Sequence, residues 1–224
     1  MINKKEIAGI KACDYVKSDM VVGIGTGSTA SYMIQELAKR YNNGLLEIEC
    51  VSTSKESYVL AKKLGLPLKN INEVDGIDIA IDGVDEIDFE FNAIKGGGGA
   101  LLREKIVATL AKKVIWIMDD SKLSNALGSF YVPVEIVPFG DLHIFNKFLE
   151  LGYNPVLRIR NDKIFITDNG NYIIDLHLNG PLDLKKLVEV FNNTVGVVEH
   201  GLFLKMCDLI IVGTENGVEV KNCK

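Results

Sequence analysis

Short apolar runs alternate with helical patterns through the first 120 residues, which leaves few architectures open. Val21-Val-Gly-Ile24, Glu47–Val51, Ile77–Ile81 and Val114–Met118 read as strands, and Ser28–Arg40, Ser54–Leu64 and Ala100–Lys113 as helices. Strands separated by helices of this length join as right-handed βαβ units, so the expected class is α/β: a Rossmann-like parallel sheet with helices on both faces. A late run, Leu209–Val212, has the same buried character and is expected to return to that sheet.

The pattern changes after about Ala126. Tyr131–Val137 reads as a strand and Asp141–Leu151 as a helix. Short strands follow over Pro155–Arg160, Lys163–Thr167 and Tyr172–Leu176, separated by turn signals at Asn161-Asp162 and Asp168–Asn171. A helix over Leu182–Phe191 and a strand over Val195–His200 complete a small α+β (ferredoxin-like) subdomain of the split βαβ kind. The expected organisation is therefore an α/β domain of residues 1–126 and 204–224, with 127–203 inserted as the subdomain.

Composition removes several function classes. Of 224 residues 47% are hydrophobic and 25% charged, enough apolar content for a core and too much for a disordered chain. No apolar run approaches the roughly 18 residues that a membrane-spanning helix needs. The net charge of -5, without a Lys/Arg cluster longer than two, argues against a nucleic-acid partner. Cys13, Cys50, Cys207 and Cys223 are scattered, as are His143, His177 and His200, so neither a disulfide framework nor a zinc site is expected. The opening Met1-Ile-Asn-Lys-Lys-Glu-Ile7 lacks the apolar segment of a secretory signal, and a cytoplasmic location with reduced thiols is the expectation.

Of the 21 glycines, eight fall in three segments: Gly23–Thr29, Asp82–Asp85 and Lys95–Gly99. The first leaves a strand and enters a helix, where unsatisfied N–H groups and the helix dipole favour an anion. It matches neither a dinucleotide fingerprint nor a Walker A loop. It is either an anion site, with Ser28 and Thr29 offering hydroxyls at the helix start, or an ordinary strand-to-helix turn with a Ser N-cap. The second, Asp82-Gly83-Val84-Asp85, lies just past a strand's carboxyl end, where open parallel sheets bind ligands. Its two carboxylates could hold sugar hydroxyls, move protons or bind Mg²⁺, or mark a plain Asp-Gly turn, with Glu86 and Asp88 adding negative charge.

In the third segment, Lys95-Gly96-Gly97-Gly98-Gly99, four consecutive glycines carry a heavy entropic cost inside a βα unit. Close backbone approach to a ligand explains them, and Lys95 adds a positive charge that reduces the need for a metal. In the following helix Leu102, Ile106 and Leu110 form one apolar stripe, while Glu104 heads a face of Val107, Ala108 and Ala111. Glu104 is either a helix-start charge favoured by the dipole or a partly buried functional carboxylate; the dipole would lower its pKa and burial raise it. Lys122 follows the strand Val114–Met118 at the same carboxyl edge, and Lys5 alone reads as a surface charge.

Gly25–Thr29, Asp82–Glu86, Lys95–Val107, Asp120–Lys122, Thr167–Asn171 and Gly196–Phe203 together resemble ribose-5-phosphate isomerase of the A type, in order along nearly the whole chain. The Gly-rich run entering Arg103-Glu104-Lys105 is the most specific match. One departure is Val195, where relatives place proline, outside the candidate site. The resemblance implies interconversion of D-ribose 5-phosphate and D-ribulose 5-phosphate with no metal or organic cofactor. By position it makes Glu104 the general base. It places Asp82, Asp85 and Lys95 around the reactive oxygens, with Asp82 a candidate for ring opening and Lys95 the partner of the oxyanion. It further implies substrate binding by Thr26–Thr29, Asp82–Asp85, Lys95–Gly98 and Lys122, with Lys5 aligned to a basic residue near the phosphate. Relatives are commonly homodimers or homotetramers. The competing readings are a related sugar-phosphate or CoA transferase and a sugar-phosphate sensor. A sensor would usually carry a DNA-binding helix-turn-helix and would have no use for Glu104.

Overall fold

The computed structural model describes residues 2–178 and 182–223. The chain runs through α1 (Lys4–Ala12), β1 (Met20–Ile24), α2 (Ser28–Asn42), β2 (Ile48–Ser52), α3 (Lys55–Lys63) and β3 (Ile79–Gly83). Two short strands, β4 (Glu86–Ile87) and β5 (Ala93–Ile94), precede α4 (Leu101–Leu110) and β6 (Val114–Asp119). Next come β7 (Val132–Ile136), α5 (Asp141–Glu150), β8 (Pro155–Leu157), β9 (Ile159–Arg160), β10 (Lys163–Ile164) and β11 (Tyr172–Leu176). The last elements are α6 (Leu184–Asn192), β12 (Val197–His200), β13 (Leu202–Phe203), β14 (Leu209–Thr214) and β15 (Gly217–Asn222). Two compact units result.

The first unit comprises residues 1–84, 103–122 and 206–224. Its sheet has the order β15-β14-β6-β3-β1-β2, with every pairing parallel except β14 with β15. Strand alternation explains why both faces are covered. Val22, Ile24, Ile79 and Ile81 join Ala8, Ala12, Met33 and Leu37 of α1 and α2 in one core. Val51, Ile77 and Ala80 join Val107 of α4 in another. The expected late strand does return to this sheet, as β14 beside β6. The antiparallel edge strand β15 went unseen in the sequence, because Gly217–Asn222 lacks a continuous apolar run.

The second unit comprises residues 85–102 and 123–205. Its main sheet, β12-β7-β11-β8, is antiparallel throughout. Numbered within the βαββαβ unit, that order is 4-1-3-2, the split βαβ arrangement. Phe148 of α5 and Phe191 of α6 pack on Val134, Ile136 and Ile174 in its core. Relative to the boundary drawn from sequence, residues 85–102 belong here, because β5 pairs with both β4 and β13 in a three-stranded sheet. The run Pro155–Arg160 divides at Arg158 into β8 and β9, and only Lys163–Ile164 of the next expected strand pairs.

Candidate active site

In the first unit the site residues gather where strands end. β1 finishes at Ile24, and the turn through Gly25 and Thr26 passes so close to Asp82 that a Cβ on Gly25 would lie 2.1 Å from Asp82 Oδ1. That oxygen accepts the N–H of Thr26 at 2.9 Å and of Gly83 at 2.7 Å, which aligns the carboxylate at the end of β3. Asp82 and Val84 are buried. The Thr26 hydroxyl is engaged inside the unit, bonding Thr53 Oγ1 and Ser54 Oγ, each at 2.8 Å. The hydroxyl cluster of Thr53, Ser54 and Ser57 was missed from sequence, where Ser54 was read as the first residue of a helix; it is the N-cap of α3.

The cap of α2 corrects one expectation. Its N-cap is Gly27, with φ of +100° and no side-chain cap, so Ser28 is the first helical residue rather than the cap. Gly27 and Ser28 are exposed, and Thr29 is buried. Lys5, in the first turn of α1, reaches this end and donates from Nζ to Ser28 Oγ at 3.1 Å, with Asp119 Oδ2 at 4.0 Å. Burial acts to raise the Asp119 pKa, but hydrogen bonds from Ser121 and the charges of Lys5 and Lys122 outweigh it and hold the carboxyl below its usual range. Lys5 and Lys122 therefore both act on Asp119, at the carboxyl end of β6, and Lys5 is no plain surface charge.

Glu104 lies on the inward face of α4 and is 5% exposed. One turn on, Val107 is also buried, pressed so tightly on β1 that a Cβ at Gly23 would lie 2.6 Å from Val107 Cγ1. The apolar stripe of Leu102, Ile106 and Leu110 is the outward one: Ile106 is 43% exposed and Leu110 50%. Small residues decide the matter, since only a face of Glu104, Val107 and Ala111 lets the helix approach the glycine of β1.

In the second unit, Asp85 Oδ2 accepts the N–H of Gly97 at 2.7 Å. Lys95 is 3% exposed; its backbone N–H donates to Gly201 O at 2.9 Å, and its ammonium stands 5.4 Å from the centre of the Phe203 ring. The Gly-rich run closes a turn, with Gly99 N–H donating to Gly96 O at 2.9 Å, and Gly98 is exposed at its tip. Arg158, which no sequence signal marked, donates from Nη1 to Gly96 O at 2.8 Å and to Gly97 O at 3.2 Å. The expected crowding of negative charge is dispersed: Glu86 accepts N–H groups from Gly128, Ser129 and Phe130, and Asp88 accepts from Glu90 and Asn92. Among the described residues no group of three or more His, Cys, Asp or Glu is placed to hold a metal, and no helix is long and apolar enough to cross a membrane.

Known proteins match this chain over nearly its full length. The family model described as ribose 5-phosphate isomerase A (phosphoriboisomerase A) matches residues 49–217. A ribose-5-phosphate isomerase A of Lactiplantibacillus plantarum is 50% identical over 216 residues, covering 96% of this chain and 95% of the relative. That of Enterococcus faecalis is 51% identical over 217 residues, 96% of each chain. Among solved structures, a D-ribose-5-phosphate isomerase in complex with phospho-erythronic acid superposes with a TM-score of 0.94 at 36% identity, covering 99% of this chain and 100% of the other. The ribose 5-phosphate isomerase of Plasmodium falciparum gives 0.91 at 40% identity, with 97% of each chain covered. Matched in sequence and in fold from end to end, the chain belongs to the ribose-5-phosphate isomerase A family.

Proposed function

We propose that this chain interconverts D-ribose 5-phosphate and D-ribulose 5-phosphate, a step of the pentose phosphate pathway, with Glu104 as the base. The observation that carries this reading is a carboxylate 5% exposed on the inward face of α4, packed beside Val107 where a helix-start charge would instead face water. Glu104 removes the C2 proton of the open-chain aldose while the carbonyl electrons move onto O1. The resulting enediolate is stabilised by the Lys95 ammonium and by N–H groups of the Gly-rich run, fixed donors that need no reorganisation as charge develops. Glu104 returns the proton to C1 as the proton of the C2 hydroxyl passes to O1, leaving a ketone at C2 and a hydroxyl at C1. Asp82, aligned by the Thr26 and Gly83 amides, assists ring opening, and Asp85 binds hydroxyls.

The phosphate is assigned to the start of α2, where Gly27 leaves the first amides without a side-chain cap and Lys5 stands beside Ser28, with Lys122 supplying further positive charge. A relative bound to phospho-erythronic acid supports a phosphorylated acyclic sugar as ligand, since its carboxylate resembles the planar enediolate. The chain acts in the cytoplasm as a homodimer or homotetramer and uses no cofactor. Incubation with ribose 5-phosphate in deuterated water should yield ketose with deuterium at the exchanged carbon. Glu104→Gln should lower kcat by roughly 10²–10⁴-fold, and a chelator should leave turnover unchanged. Retention of most of the rate in Glu104→Gln would reject Glu104 as the base, and strong chelator inhibition would point to a cation at the Asp82–Asp85 turn.

A further inference from the structure

We infer that Arg158 is a positioning residue for this reaction, holding the Gly96 and Gly97 carbonyls so that the amides of Gly97 and Gly98 face Asp85 and the substrate. The inference rests on the isomerase reading for its chemical meaning and on the second unit's geometry for its structural part. Arg158 is 7% exposed and stands where β8 gives way to β9, its own N–H donating to Ile173 O at 2.9 Å. Its Nε donates to Asp175 Oδ2 at 2.8 Å and its Nη2 to Asp175 Oδ1, a forked pair that fixes the guanidinium plane. The remaining nitrogen, Nη1, is then aimed at two consecutive carbonyls of the Gly-rich run.

A peptide's C=O and N–H point in opposite directions. Drawing the Gly96 and Gly97 oxygens toward Arg158 therefore turns the N–H groups of Gly97 and Gly98 away from it. The first meets Asp85 Oδ2 at 2.7 Å, and the second belongs to the exposed tip of the run. Two rings hold the guanidinium in place, Tyr131 at 5.5 Å and Phe165 at 5.8 Å from its carbon to the ring centres. Phe165 also seats against Gly99, where a Cβ would lie 2.4 Å from the ring. A buried Arg–Asp pair alone would serve only the fold, but one whose spare donor holds two carbonyls of the Gly-rich run restrains backbone that four consecutive glycines would leave free. Lysine cannot substitute, because an ammonium lacks the planar fork that engages Asp175 and the carbonyls together.

The test compares wild type, Arg158→Lys and the double variant Arg158→Met/Asp175→Leu, which removes both buried charges together and so avoids leaving one unpaired. Both variants should keep KM within about threefold and lose kcat roughly 10–100-fold, because displaced amides weaken binding of the oxyanion and not of the ground state. Amide exchange at Gly97 and Gly98, followed by NMR, should accelerate at least about tenfold as the run loosens. A kcat within twofold of wild type, a rise in KM alone, or unchanged exchange in a folded variant would overturn the proposal. If wild type itself fails to isomerise ribose 5-phosphate, the isomerase reading falls, and the exchange measurement still decides whether Arg158 holds the run.

Discussion

At the scale of single residues, Asp82 owes its setting to the missing side chain at Gly25. Gly25→Ala would drive a methyl into the carboxylate, and overpacking of this kind costs about 1–3 kcal/mol. Urea denaturation should show that loss, and turnover should fall with it as Asp82 is displaced. Glu86 offers a second test. Burial acts to raise its pKa, and the backbone N–H groups of Gly128, Phe130 and Ser129 outweigh that and hold the carboxyl below its usual range. A carboxylate with a lowered folded pKa adds stability above its unfolded pKa and loses it as the pH falls through the folded value. Glu86→Gln should therefore be less stable than wild type by about 1–3 kcal/mol at pH 7, and the gap should narrow on acidification toward pH 3. A gap that persists unchanged at low pH would show that shape, not charge, is what Glu86 supplies. None of this was visible in the sequence, where Glu86 counted only as one more acid near Asp85.

At the scale of elements, the strand ends and their glycines were legible because tight turns and close approach leave a local mark. The faces of α4 were legible only in part: the wheel kept Glu104 off open solvent, as its burial bears out, but did not rank its face against the apolar stripe. A helical wheel ranks residues by polarity and so favours Leu102, Ile106 and Leu110, yet a helix settling on Gly23 of β1 needs its smaller side inward. Substitutions along α4 should expose that choice. Val107→Ala should destabilise by about 1–3 kcal/mol, whereas Ile106→Lys should stay within about 0.5 kcal/mol, both read by urea denaturation. The reverse ranking would put the apolar stripe back inside. The same limit applied to β9 and β10. A run such as Pro155–Arg160 reads as one strand, while in the structure it divides at Arg158, whose side chain engages Asp175 and two glycine carbonyls distant in sequence.

At the scale of the whole molecule, the proposed homodimer or homotetramer can be tested directly. Sedimentation equilibrium should return twice or four times the 24.7 kDa chain mass, and a monomer at micromolar concentration would remove the oligomer from the proposal. Pairing across the molecule also explains what the cysteines hid. Cys207 and Cys223 looked scattered, yet the β14–β15 hairpin brings their sulfurs to 2.9 Å, and burial pushes the Cys207 thiol up. What the sequence determined by itself was the α/β class, the split βαβ order, the strand ends where the candidate site residues lie, and the family. Each of these is written in periodicity or in short motifs, signals carried within a few turns of chain. Only the tertiary structure decided that residues 85–102 pack with the second unit, that Ile106 and Leu110 of the apolar stripe stay exposed, and that Arg158 grips the Gly-rich run. Those outcomes depend on partners dozens of residues away, chosen by packing volume and hydrogen-bond geometry, and no local pattern encodes them.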